Sequence, residues 1–262
     1  EGDILALTRE LCSIPSGVVV PGNERLFERL AEEVPLTLHR YPSGATHNGW
    51  LVPDLWRVER ATVSLDGAIV YDAAAHPLGV AAYSQPFQGE LELDELLRYV
   101  VTNAAMPEAL IYHCMWQYRP WDADWAISMP HELVRALPSG TYQVDLVTHR
   151  GPGEMLVGVA EHRGRSERTI VLNAHTCHPG MANDDMAGVA VLLRLFQRLA
   201  GRDTFYSYRL VLGPEHLGTV FYLRDLAREE LERLVGGVFA EMPGTAGPLT
   251  VASTFLGGHP LD

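Results

Sequence analysis

The segment Thr169-Ile-Val-Leu-Asn-Ala-His175-Thr-Cys-His178-Pro-Gly-Met-Ala-Asn183-Asp184-Asp185-Met-Ala-Gly188-Val-Ala-Val-Leu-Leu193 decides how this chain is read. It opens as an apolar run of strand length and reaches two histidines. It then turns through Pro-Gly, presents paired carboxylates, and after Gly188 continues as small and aliphatic residues with helical period. This predicts a strand, a polar loop and a helix, with the polar groups at the C-terminal end of the strand. Ligands of open α/β sheets bind there. Imidazoles and carboxylates in one short loop are the donor types of zinc and similar divalent ions. The segment is therefore expected to hold the active site of a metal-dependent hydrolase.

The composition agrees with a folded enzyme and excludes several other classes. The chain has 262 residues, of which 47% are hydrophobic and 20% charged, ordinary values for a globular domain. Its net charge of −13 would repel phosphate backbones, so no nucleic-acid partner is expected. All 20 basic residues are Arg, which rules out a lysine nucleophile or Schiff base. No apolar run reaches the roughly 18 to 20 residues that cross a bilayer, so no membrane partner is expected. The three cysteines, Cys12, Cys114 and Cys177, are too scattered for a disulfide framework, and a reducing cytoplasmic setting is expected.

Outward from the decisive segment, the rest of the chain alternates strand and helix patterns. Asp3–Cys12 and Glu24–Glu33 have apolar residues at helical spacing, with Asp3 and Asn23 placed as N-caps. Leu36–Tyr41 alternates like a strand. Between about Trp50 and Trp125 short strands dominate, with Asp66-Gly67 as a hairpin signal. Val80–Tyr83 reads as one of these strands, and Glu90–Val101 as a helix. The cluster Trp121, Asp122, Asp124 and Trp125 reads as packing. Thr141–Thr148 and Glu154–Glu161 read as strands joined in a hairpin by Arg150-Gly-Pro-Gly. Tyr208–Leu212, Val235–Glu241 and Leu249–Thr254 read as strands, and Leu217–Leu226 as a helix. The expected fold is α/β, with a mixed, mostly parallel sheet and helices on both faces. Residues 1–48 and 126–262 would form it, with a small inserted β-rich domain at 49–125.

Two further strand ends carry carboxylates. One lies in Arg209-Leu-Val-Leu-Gly-Pro-Glu215-His216-Leu-Gly218, the other in Gly237-Val-Phe-Ala-Glu241-Met-Pro-Gly244. Each follows an apolar strand and precedes a glycine. Parallel strands bring their C-terminal ends to one crevice, so these groups can meet His175 and Asp184 although distant in sequence.

With these motifs the chain resembles the zinc aminopeptidase family M28, and more closely its aminopeptidase-like relatives DUF4910 and DUF2172. Those relatives share His-Pro after the first histidine, an Asn-Asp-like turn, and Pro-Glu before the next helix. They also share an inserted β module, matched by Trp50-Leu-Val-Pro-Asp-Leu-Trp-Arg-Val. The resemblance implies a zinc-peptidase/phosphorylase-hydrolase-like fold and one or two zinc ions. It implies His175 as a ligand, Asp184 as a bridging ligand followed by a cis peptide to Asp185, and Glu215 as general base. It further implies His216 and Glu241 as ligands, with His178 shared by the closer relatives. The expected reaction is cleavage of an amide or N-terminal peptide bond in a small peptide or aminoacyl amide. Metal-activated water would attack, and Glu215 would move the proton.

The pattern also departs from the family. Cys177 stands where M28 enzymes place the Asp that orients the first histidine. Nothing clearly matches the last histidine ligand. His259 is a candidate, and the gap leads to the expectation that the native protein continues past residue 262. Two alternatives therefore stay open: an inactive M28-like binding module, and an amidohydrolase that tailors a small metabolite. Oligomeric state is not legible.

Overall fold

The computed structural model describes residues 2–122, 124–254 and 256–259. It forms two compact units, one made of Glu1–Gly17, Gly22–Tyr41 and Met155–Asp262, the other of Val18–Pro21 and Pro42–Glu154.

The first unit contains the decisive segment. Its five-stranded sheet runs in the order Thr37–Pro42, Glu154–His162, Ser207–Gly213, Thr169–His175, Leu234–Phe239. Thr169–His175 pairs in parallel with both neighbours, while Glu154–His162 pairs antiparallel with Ser207–Gly213. Alternation along the strands divides the two faces. Leu156, Ala160, Leu172, Ala174, Leu210 and Leu212 pack with Leu7 and Leu11 of Gly2–Cys12, with Leu26, Phe27 and Leu30 of Gly22–Glu33, and with Val189, Leu192, Leu193 and Phe196 of Gly188–Leu199. On the opposite face Val157 lies against Gly218 of the helix Leu217–Asp225, where an added Cβ would stand 3.2 Å from its Cγ2. Helices thus cover both faces, as expected.

The second helix differs in one detail from its expected capping. Asn23 lies inside it and is buried, its side chain accepting from Gly17 N at 3.1 Å and donating to Gly17 O at 2.9 Å. An amide that could cap a helix here pins the preceding loop instead.

The second unit is antiparallel at its centre. Its four-stranded sheet has the order Ala68–Asp72, Leu55–Leu65, Thr141–Gly151, Phe87–Glu92. The Asp66-Gly67 hairpin forms as expected, with both residues at positive φ (50° and 78°), the requirement of a type I′ turn. Trp125 is buried between two rings, its centroid 4.6 Å from Phe87 and 4.3 Å from Tyr99. Packing therefore accounts for Trp125 in the Trp121–Trp125 cluster.

Several expectations are corrected. The first unit's sheet is mixed, with the antiparallel pair of Glu154–His162 and Ser207–Gly213 beside its two parallel pairs, and the second unit's four-stranded sheet is antiparallel. Thr141–Gly151 and Glu154–His162 form no hairpin; the former pairs with Leu55–Leu65 from Leu55↔Gly151 to Leu65↔Tyr142. Pro152 offers no N–H to a ladder at the point where a hairpin would start, and the long partner strand offers many. Val80–Tyr83 makes only an isolated bridge, Val80 to Ile127. Within Glu90–Val101 helical turns form only over Leu93–Tyr99, flanked by strands. Leu249–Thr254 is not in a sheet, and Leu249 and Val251 are exposed. Its apolar pattern had no partner strand in the described residues to make it one. Among the described residues no helix is long and apolar enough to cross a membrane.

Candidate metal centre

The end of Thr169–His175 sets the geometry. Apolar alternation buries Leu172 and Ala174, and the strand ends as His175 turns inward, only 2% exposed. The chain then passes through Thr176–Ala182 into a π-helical turn, Asn183–Ala187, before the regular helix starts at Gly188. This turn replaces the expected first helical residues. Asp184 and Asp185 have non-helical dihedrals within it and are joined by a cis peptide.

His175 is the hub. Its Nε2 lies 2.8 Å from Asp184 Oδ1 and 3.5 Å from Glu241 Oε2, and Asp184 Oδ1 lies 3.6 Å from His178 Nε2. On its other side, His175 Nδ1 is 3.3 Å from Cys177 Sγ. Cys177 is buried. Among the described residues, three sets of donors have ligand atoms within 4.8 Å of one another: His175, His178 and Asp184; His175, Asp185 and Glu241; His175, Cys177 and Glu215. All three share His175.

The donor atoms fit a small divalent cation. His175 Nε2 and Asp184 Oδ1 are both buried and have no hydrogen-bond partner, although they approach within 2.8 Å. Buried polar atoms without partners are rare. A tetrahedral ion with bonds near 2.0 Å places its ligand atoms about 3.3 Å apart, and the separations of 2.8, 3.5 and 3.6 Å bracket that value.

The remaining predicted residues fall into two groups. Glu215, at the end of the neighbouring strand, shares a cleft of about 330 Å³ with His175, Asn173, Thr219, Val220 and Phe239. His216 lines the same cleft, but it is exposed, 3.3 Å from Glu215 Oε1, and belongs to none of the three sets. His259 belongs to none either. Phe239, whose ring centroid is 6.0 Å from that of His175, forms an apolar wall that no sequence motif marked.

Burial shifts the protonation of several groups. It holds the His178 pKa below the ordinary histidine value, against the Pro179 carbonyl and Asp184, which favour the cation. It raises that of Glu241. Burial also pushes Asp185 up to about 8, although backbone amides of His175, Met242 and Gly188 donate to it. For both acids desolvation is the largest cause, and neighbouring carboxylates raise them further.

Comparison with known proteins places the chain. The model of a domain of unknown function, DUF4910, matches residues 5–261. A curated relative from Clostridium acetobutylicum, provisionally named a polysaccharide biosynthesis protein with aminopeptidase-like domain, is 28% identical over 262 residues, all of this chain and 59% of the relative. A crystal structure from the same organism, provisionally described as a peptidase, matches with TM-score 0.85 and 29% identity over 94% of this chain and 57% of that one. The zinc aminopeptidase of Bacillus subtilis matches with TM-score 0.64 and 14% identity, over 93% of this chain and 69% of that one. The last likeness shows a shared fold. The chain spans less than two thirds of the length of the two clostridial proteins.

Proposed function

This chain belongs to the DUF4910 family, and on that footing we propose that it carries the metal centre of an aminopeptidase-type hydrolase. The observation that carries the proposal is the meeting of His175 Nε2 with Asp184 Oδ1 and Glu241 Oε2, two of these atoms buried without hydrogen bonds. His175, His178 and Asp184, one of the three donor sets, would hold zinc, with Glu241, 3.5 Å from His175, as a further donor; His216 has no ligand role in this reading. Bound zinc would supply Lewis acidity, polarising a carbonyl and lowering the pKa of a coordinated water towards about 7.

The chain's own residues supply the rest. Glu215, on the rim of the same cleft as His175, takes a proton from the attacking water and passes it to the leaving amine. Phe239 and Val220 give the cleft an apolar side, against which an apolar part of the substrate would pack. The substrate class is an amide with a free amino end, in a small peptide or an aminoacyl amide. The clostridial relative's association with polysaccharide biosynthesis adds a sugar-linked amide as a second substrate to test.

A second reading, metal binding without turnover, is favoured by Cys177. A thiol is a weaker hydrogen-bond partner for His175 Nδ1 than the carboxylate usual beside a metal-bound histidine. One experiment separates the two. Purified protein is assayed for zinc and for hydrolysis of an aminoacyl-anilide panel, with and without chelator, alongside Glu215→Gln. Zinc-dependent turnover lost in Glu215→Gln with zinc retained supports the hydrolase. Zinc binding with no turnover supports the second reading, and turnover indifferent to chelator sinks the metal mechanism.

A further inference from the structure

The turn that carries Glu241 is held at alternate amides. Ala240 N donates to Asn173 O at 2.9 Å, Met242 N donates to Asp185 Oδ1 at 3.2 Å, and Gly244 N donates to Asn183 Oδ1 at 2.6 Å. The first bond extends the ladder between neighbouring strands. The other two come from side chains of the π-helical turn on either side of Asp184. Asp185 also accepts from His175 N, through Oδ2, at 3.2 Å. One fully buried carboxylate thus ties the last residue of the strand to the turn of Glu241. With no water to solvate them, its oxygens must be met inside the protein, and backbone N–H groups meet them.

Two glycines leave room for these bonds. A Cβ at Gly244 would stand 3.0 Å from Asn183 Oδ1, and one at Gly188 would stand 2.2 Å from both Asp185 Oδ1 and Ala240 O. Met242, between the held amides, has a φ of 47°, uncommon outside glycine. These are the marks of a built junction.

Asp185 and Asp184 differ in what their oxygens do. Both oxygens of Asp185 are engaged by backbone N–H groups, whereas Asp184 Oδ1 has no hydrogen bond. We infer that Asn183 and Asp185 are positioning residues that lock the Glu241 turn to His175 and Asp184, and so set the spacing of the three ligand atoms. The inference rests on the metal reading proposed above for its consequence, but its geometry does not require a metal.

Hydrogen exchange of the metal-free chain reads the lock, and zinc titration against a chromophoric chelator reads its consequence. Asn183→Ala should speed exchange of the Gly244 amide by about tenfold or more and leave the amides of Ser207–Gly213 unchanged. It should weaken zinc binding by about tenfold, within the range for partners that orient metal ligands. Asn183→Asp keeps the accepting oxygen and should return Gly244 exchange to about the wild-type rate. Asp185→Ala, which removes both accepting oxygens, should speed exchange at Met242. Unchanged exchange in folded variants of both residues would overturn the lock. Faster exchange with unaltered zinc affinity would overturn its role in positioning Glu241. A wild-type chain that binds no zinc would defeat the metal reading instead, and the exchange rates would still decide whether these side chains hold the turn.

Discussion

Gly188 and Asp185 are packed so closely that a methyl group on residue 188 would stand 2.2 Å from Asp185 Oδ1. The same methyl would meet Ala240 O at 2.2 Å, so neither side has room to yield. Residue 188 is helical, with φ −62° and ψ −45°, and alanine there would gain up to about 1 kcal/mol of helix propensity. Overpacking costs about 1–3 kcal/mol and should win. Gly188→Ala is expected to melt at lower temperature than wild type and to bind zinc more weakly, because the Glu241 turn must move. A thermal melt at or above that of wild type would refute the crowding argument.

Zinc should stabilise the chain through His175. A ligand at a hundredfold over its Kd adds about 2.7 kcal/mol to stability when it binds only the folded state. Thermal melting with and without zinc is expected to show a rise of several degrees in wild type. His175→Ala, which removes the donor common to all three ligand sets, should abolish it. An equal rise in both proteins would place the ion elsewhere.

Acid should loosen the helices of the first unit through Glu33. Its carboxylate takes Arg29 Nη2 at 2.7 Å and also pairs with Arg194, which in turn meets Asp3 at 2.8 Å. Burial works against the charged form, but hydrogen bonds from Arg194, Arg29 and Gln197 outweigh it and hold Glu33 below the ordinary glutamate value. Because the folded pKa lies below the unfolded one, this contribution is fully present above about pH 4.3 and declines as pH falls through the folded value. Urea unfolding should show Glu33→Gln less stable than wild type at neutral pH. The gap should narrow under acid, and a gap independent of pH would count against the network.

The second unit should depend on Trp125. Stacked between Phe87 and Tyr99 and 5% exposed, it fills space that smaller residues cannot. Trp125→Ala is expected to cost about 3–5 kcal/mol by chemical denaturation. A loss below about 1 kcal/mol would mean that the rings close over the gap.

The parts legible in sequence are those whose signals are local. The run Thr169–Ala174, the helix beyond Gly188 and the Asp66-Gly67 hairpin follow from periodicity and turn chemistry, which act over a few residues. Donor chemistry likewise singled out His175, His178, Asp184, Asp185, Glu215, His216 and Glu241 as candidates. The hairpin expected from Arg150-Gly-Pro-Gly failed because strand pairing is chosen by the best available partner, and Leu55–Leu65 lies far away in sequence. Leu249–Thr254 failed for the converse reason, since an apolar alternation is a strand only when something pairs with it.

The sequence by itself determined which side chains could bind a cation and that they would cluster at strand ends. Only the tertiary structure decided that Glu241 comes within 3.5 Å of His175 while His216 stays exposed. It alone separated adjacent carboxylates, leaving Asp184 Oδ1 without a hydrogen bond and giving both oxygens of Asp185 to backbone amides. The physical reason is that a residue type sets what an atom can bind, whereas the burial and direction of that atom are set by contacts between segments far apart in the chain.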